Sequence, residues 1–188
     1  MNERVSSRLD LAELRRLLEA NPAAHLSGVY RAHGKRALDV AMVLIAIVPT
    51  LLILLPLMGL IALDGRAPIY TQKRIGQNGR LFRMFKLRTM VADADQILEA
   101  YLARNSEARA EWDENQKLKS DPRITLFGKV LRKTSLDELP QLLNVLLGHM
   151  SIVGPRPMMV GQEDIYPGRA YYEMRPGITG FWQISERP

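Results

Sequence analysis

The residues best equipped for chemistry lie in Thr134-Ser135-Leu136-Asp137-Glu138-Leu139-Pro140-Gln141-Leu142-Leu143-Asn144. Ser135 followed by Glu138 has the form of a capping box. Leu139, Leu142, Leu143 and Leu146 then recur as the buried stripe of a helix that Gly148 ends. Pro140 disagrees with this reading. With Ser135 as the cap it falls beyond the first turn, where its missing N–H is needed. A local rule broken beside adjacent carboxylates points to a functional site. Asp137 and Glu138 would sit near a helix N-terminus with Arg132 and Lys133 just upstream, surroundings that favour negative charge. They predict an ionised Asp137, and an ionised carboxylate can attack phosphorus without a general base.

Phosphorus chemistry needs cations nearby, and the sequence offers several. In Phe85-Lys86-Leu87-Arg88, alternation puts Lys86 and Arg88 on one strand face, about 7 Å apart, a spacing that suits a diphosphate. A solvated strand face explains the same pattern. Arg156 stands between Pro155 and Pro157, so its backbone is stiffened on both sides and little entropy is lost when its fork grips phosphate. A surface turn is the plain alternative. Arg175 opens Arg175-Pro176-Gly177-Ile178-Thr179-Gly180-Phe181-Trp182, whose aromatic pair suits either a stacked nucleobase or the core. Asp93-Ala94-Asp95 matches a metal-nucleotide pattern, but acidic residues opening a helix explain it better.

Other chemistries are excluded. With no cysteine there is no disulfide scaffold, thiolate metal site or cysteine nucleophile. No P-loop pattern occurs, His25, His33 and His149 have no ligand spacing, and no serine triad suggests itself.

The elements that must position these groups are legible in outline. The 188 residues are 47% apolar and 24% charged, enough for one real core, and the net charge of +6 suits a phosphate-bearing partner or an anionic membrane surface. Residues 69–75 and 80–90 read as strands joined by Gly76-Gln77-Asn78-Gly79, a hairpin signal. Residues 92–119 are helical in character, with Ile97, Leu98, Tyr101 and Leu102 as a stripe. After Asp121-Pro122, residues 124–133 read as a short basic amphipathic helix, fit for a headgroup layer or for the core. Ser151-Ile152-Val153 reads as a strand.

Residues 40–63 form 24 consecutive positions without a charge, a helix of about 36 Å against a hydrocarbon core of about 30 Å. Pro49 and Pro56 interrupt it, and basic residues flank both ends, as expected of a helix that dips in, bends and returns to the same face. A proline-kinked span remains the other reading. Both place the residues after Leu63 in the cytoplasm.

Lys35-Arg36 with Asp39, Gln72-Lys73-Arg74-Ile75-Gly76, Phe85-Lys86-Leu87-Arg88-Thr89-Met90, Ser135-Leu136-Asp137-Glu138-Leu139-Pro140-Gln141, Ser151-Ile152-Val153-Gly154-Pro155-Arg156-Pro157 and Arg175-Pro176-Gly177-Ile178-Thr179-Gly180 together resemble the bacterial sugar transferases. These are the monotopic polyprenyl-phosphate phosphoglycosyl transferases that begin exopolysaccharide and other surface glycans. The resemblance implies an α/β, mostly helical, membrane-associated enzyme. Its parts would be a cytosolic amphipathic segment over 1–34, a re-entrant helix over 35–64 broken at Pro49 or Pro56, and a cytosolic catalytic domain over 65–188, shortened at its C-terminal end. It further implies that Asp137 attacks a UDP-sugar and hands the phospho-sugar to polyprenyl phosphate, and that Glu138 helps hold Mg²⁺. Lys86, Arg132, Arg156 and Arg175 match positions serving phosphate and nucleotide. Inner-membrane lipids and other glycan-assembly enzymes are the implied partners. The rival is a membrane-tethered scaffold without activity. Nucleic acid is disfavoured, since the cations are dispersed and no known module appears.

Overall fold

The computed structural model describes residues 33–115, 117–163 and 170–184. The N-terminal segment expected over 1–34 lies almost wholly outside them. The chain divides into two compact units, residues 1–41 and 42–188. Of the first, the described part is the opening of helix α1 (Lys35–Ala62), where Lys35 Nζ reaches Asp39 at 3.3 Å.

The second unit is α/β with small sheets. Strands β1 (Ile69–Ile75) and β2 (Leu81–Leu87) form the expected hairpin, with Ile69 opposite Leu87 and Ile75 opposite Leu81. Its turn uses Asn78 at φ 58° and Gly79 at φ 72°, a left-handed pair that Asn-Gly accepts at low cost. The second strand stops at Leu87 rather than Met90. Arg88 N–H donates to the Pro68 carbonyl, after which Thr89 and Met90 pair instead with Thr125 and Ile124.

The helical stretch is two helices, α2 (Ala94–Arg104) and α3 (Ser106–Asn115). Asn105 is extended between them and its side-chain oxygen accepts the Ala108 N–H at 3.0 Å, an N-cap that ends one helix and begins the next. Asp93 stands at the N-cap position of α2, though its side chain makes no capping bond. Leu98, Leu102 and Ala108 bury a satellite core, which Arg123 closes by lying 5.0 Å over the Trp112 ring while pairing with Asp121.

Helix α4 (Leu126–Lys133) is capped by Thr125, whose hydroxyl accepts the Gly128 N–H at 2.9 Å. Helix α5 (Gln141–Leu146) leads to β3 (Ser151–Val153), β4 (Met158–Met159), β5 (Gly177–Thr179) and a last turn, α6 (Phe181–Ile184). Strand β4 joins the outer edge of β1, giving the order β2-β1-β4, and β3 pairs with β5 in parallel.

The expected break in the apolar helix is not seen. Helix α1 is assigned without interruption through Pro49 and Pro56, since each proline removes one bond of the ladder and leaves the others. At 28 residues, with an 18-residue stretch of mean hydropathy 2.8, it is long and apolar enough to cross a membrane. One stripe packs on the domain. Val43 joins Phe82, Met84, Val145 and Met150, while Leu54, Leu57, Met58 and Ile61 meet Leu87 and Leu131. Ile45, Val48, Leu52 and Leu55 are exposed on the other side.

Candidate active site

Between α4 and α5 the chain makes a 3-10 turn, Leu136–Glu138, entered through Ser135 at φ 57°. The capping box is not formed, because the Ser135 side chain caps nothing and α5 begins only at Gln141. This resolves the anomaly of Pro140. It stands at the N-cap position of α5 with φ −61°, where a missing N–H breaks no helical bond. The reversal turns Asp137 and Glu138 toward β2.

Lys86 meets both carboxylates there. Its Nζ lies 2.7 Å from Glu138 Oε1 and 3.9 Å from Asp137 Oδ2. Asp137 is only 6% exposed, and burial raises its pKa above the ordinary carboxylate range. Lys86 opposes that shift, Glu138 adds to it, and Arg132 opposes it more weakly. The sequence suggested that basic surroundings would dominate. They do not, because the side chain is withdrawn from water. The result is a carboxylate more basic than usual beside a lysine, suited to attack an electrophile.

A cavity of about 190 Å³ opens beside Lys86 and Glu138, lined also by Gln141, Arg74, Arg156 and Trp182 among others, while the buried Asp137 adjoins this lining without being part of it. Arg156 comes from the Gly154-Pro155-Arg156-Pro157 loop and lies 5.7 Å over the Trp182 ring. That loop is bonded to β5, with Gly154 N–H donating to Thr179 O at 2.9 Å and Gly177 N–H to Pro155 O at 2.8 Å. The two backbones approach so closely that a Cβ on Gly177 would strike the Gly154 backbone. Gly177→Ala is therefore expected to pry the loop from β5. We expect a stability loss of about 1–3 kcal/mol, seen as a melting temperature lowered by roughly 3–10 °C, together with impaired function. A thermal melt at wild-type temperature would contradict it.

The other cations named from sequence lie outside the cavity lining. Arg132 donates from Nε to Thr89 Oγ1 at 2.9 Å, near Asp137. Arg175 donates to the Gly148 carbonyl at 3.0 Å. Arg88 is not brought to the cavity. Its fork grips Asp64 at 2.7 Å on both oxygens and it also donates to the Ile61 and Ala67 carbonyls, fastening the end of α1 to the start of β1. Lys86 and Arg88 part because β2 ends between them.

Two lining groups escaped the sequence reading. Arg74 stands opposite Phe82 and Gln72 opposite Met84, which puts both on the face of Lys86. The Asn-Gly turn fixes that register, so the signal was present. Gln141 is 2% exposed at the start of α5 and lines the cavity.

On the far side of the turn lies a second hollow, an apolar groove of about 380 Å³. Its walls are α1 from Val43 to Met58 and α5 through Leu142, Leu143 and Leu146, with Leu139 and Pro140 between. Thus Glu138 faces a charged cavity and Leu139 an oily one. Among the described residues no group of three or more His, Cys, Asp or Glu is placed to hold a metal ion.

The model of the family described as bacterial sugar transferase matches residues 30–188. The chain is 48% identical over 161 residues to a UDP-galactose-lipid carrier transferase of Erwinia amylovora, covering 82% of this chain and 34% of that protein. It is 46% identical over 157 residues to the exopolysaccharide production protein ExoY of Sinorhizobium fredii, covering 82% of this chain and 70% of the relative. Against an undecaprenyl-phosphate galactose phosphotransferase of Salmonella typhimurium it is 51% identical over 126 residues, or 66% of this chain and 26% of that one. It therefore spans only about a third or less of two of these relatives. By the extent of that match, the chain belongs to the bacterial sugar transferase family.

Proposed function

We propose that the protein transfers a phospho-sugar from a UDP-sugar to polyprenyl phosphate, the first step of a surface glycan, through a covalent bond to Asp137. One observation carries this reading: directly after Asp137, Glu138 lines a cation-rich cavity while Leu139 and Pro140 line an apolar groove. An enzyme joining a water-soluble diphosphate to a lipid phosphate needs both surfaces within one residue's reach of the reacting group. The names of relatives that act on a lipid carrier or on undecaprenyl phosphate agree with it.

In the first half-reaction an Asp137 oxygen bonds to the β-phosphorus of the donor, and the bond from that phosphorus to the bridging oxygen breaks. UMP leaves with the electron pair. In the second, an oxygen of polyprenyl phosphate bonds to the same phosphorus, and the bond to Asp137 breaks to restore the carboxylate. Both nucleophiles are anions, so neither step requires a proton acceptor. Burial makes Asp137 more basic than an ordinary carboxylate, while Lys86 favours its ionised form and draws phosphate toward it. Arg156 would bind donor phosphate over Trp182, with Arg132 and Arg175 supporting the loops around it.

Mg²⁺ fits the donor set through Glu138 beside Asp137. It binds through one or two carboxylates and takes its other ligands from phosphate and water, so the lack of a third acidic group is no obstacle. When bound it would neutralise phosphate charge.

The packing of α1 supports a monotopic seat on the cytoplasmic membrane face. Val43 and Ile61, eighteen positions and about 27 Å apart along the helix, both pack on the domain. A span needs lipid around about 30 Å of its length. A helix bound to its domain at both ends, with exposed Leu and Ile opposite, is better placed dipping into one leaflet. Cysteines introduced at Ser7 and Gln77 should both label from the cytoplasmic side, and opposite-side labelling would establish a span.

The activity test uses the full chain in membrane extract with radiolabelled UDP-sugars, Mg²⁺ and undecaprenyl phosphate. UMP and labelled lipid are expected in equal amounts. Neither product from folded protein would favour a scaffold.

A further inference from the structure

Arg74 stands at the wall of the cavity as a guanidinium with no counter-ion among the described residues. Its NH1 donates to the Pro157 carbonyl at 3.0 Å and its NH2 to Gln72 Oε1 at 2.7 Å, both neutral acceptors. Its Nε is buried with no hydrogen-bond partner. Among the described residues no carboxylate lies within ion-pair distance of it. Burial and the like charge of Arg156 lower its pKa, so the protein holds this cation against its own electrostatics. A half-buried charge without an opposite charge and a buried donor without an acceptor are both costly, and native structures keep such groups for a reason. Trp182 Nε1, in the same wall, is likewise buried and unpartnered.

Charge within the cavity is divided. Lys86 is already engaged by Glu138 at 2.7 Å, which leaves Arg74 and Arg156 as the lining cations with no carboxylate of the described residues within ion-pair distance. Arg156 lies over Trp182, whose flat face suits a nucleobase. The cavity shares no lining residue with the apolar groove.

We infer that Arg74, with Arg156, seats the phosphate of the departing nucleotide, so that the leaving UMP is held at the arginine end while the phosphorus under attack lies at the Lys86–Asp137 end. The inference rests on the proposed transfer reaction and adds a residue and a direction to it. The shared chemistry is a phosphate monoester, and the lipid phosphate is the competing source.

The test measures binding of UMP and of uridine to the full chain in detergent, and the KM for undecaprenyl phosphate, in wild type, Arg74→Gln and Arg74→Lys. The glutamine variant is expected to bind UMP roughly 10- to 100-fold more weakly, with uridine affinity and lipid KM unchanged. The lysine variant keeps the charge without the fork and should lose roughly 3- to 10-fold. It also serves if the glutamine variant melts early, since lysine can still reach toward Pro157. Unchanged UMP affinity in folded variants overturns the assignment and leaves the transfer reaction standing. A rise in lipid KM alone overturns it in favour of the acceptor phosphate. If wild type binds no UMP and consumes no UDP-sugar, the donor reading fails and this inference with it.

Discussion

Asp137→Asn is expected to abolish both UMP release and lipid labelling, by at least about a thousandfold, without lowering the melting temperature at neutral pH. The loss of activity follows from replacing the attacking oxyanion by an amide. The stability half follows from burial. Asp137 has a raised pKa in the folded protein, chiefly through desolvation, so the native state holds its proton more tightly than the unfolded chain does. Its contribution to stability is therefore complete below the unfolded value near 3.8 and is lost as pH rises through the folded value. Near pH 7 the ionised carboxylate works against the fold, and the isosteric amide removes that burden. Lys86 is not orphaned, since Glu138 holds it at 2.7 Å. Thermal melts of both proteins at pH 4 and pH 7 check the sign: the variant should gain relative to wild type as pH rises. A variant that melts well below wild type at pH 7, or that turns over normally, would contradict the account.

The second large effect is structural. Asn144 is fully buried on α5, and its side chain acts as a piece of sheet. Its Oδ1 accepts the Phe85 N–H at 3.0 Å and its Nδ2 donates to the Arg83 carbonyl at 2.7 Å. These are backbone groups on the outer edge of β2, which no strand among the described residues covers, and they lie three and one positions before Lys86. Asn144→Leu would fill the space and satisfy neither group. Two lost bonds with their partners left dry should cost about 2–5 kcal/mol, a melting temperature lower by roughly 5–20 °C. Activity should fall as well, because the edge that aims Lys86 at Asp137 is no longer tied to the helix that follows the carboxylates. A melt within about 2 °C of wild type would show that water replaces the amide.

What the sequence made legible was local. The Asn-Gly turn and flanking alternation predicted the hairpin, and the turn's register would have placed Arg74 on the face of Lys86 had it been followed through. Pro140 drew attention to Asp137 because it conflicted with a helix starting at Ser135, and the structure answers with two short segments in place of one helix. Asn105 was an unread cap dividing residues 92–119. The misreadings concern contacts between distant parts of the chain. Arg88 looked like a partner of Lys86, but its own partner is Asp64, 24 positions earlier. The basic neighbours of Asp137 in sequence suggested a carboxyl governed by charge, whereas burial in the packed turn is the largest influence on it and raises its pKa. Asn144 read as one more helix residue, and only the bare edge of β2 gives it a task.

The central claim is a covalent bond between an Asp137 oxygen and phosphorus, and intact-mass spectrometry tests it most directly. The full chain is incubated with UDP-sugar and Mg²⁺ in the absence of lipid acceptor, quenched and weighed. The account predicts a mass gain of one sugar-phosphate that maps to Asp137, is absent in Asp137→Asn, and disappears on adding undecaprenyl phosphate. Active protein that never gains this mass, or gains it on another residue, would contradict the account.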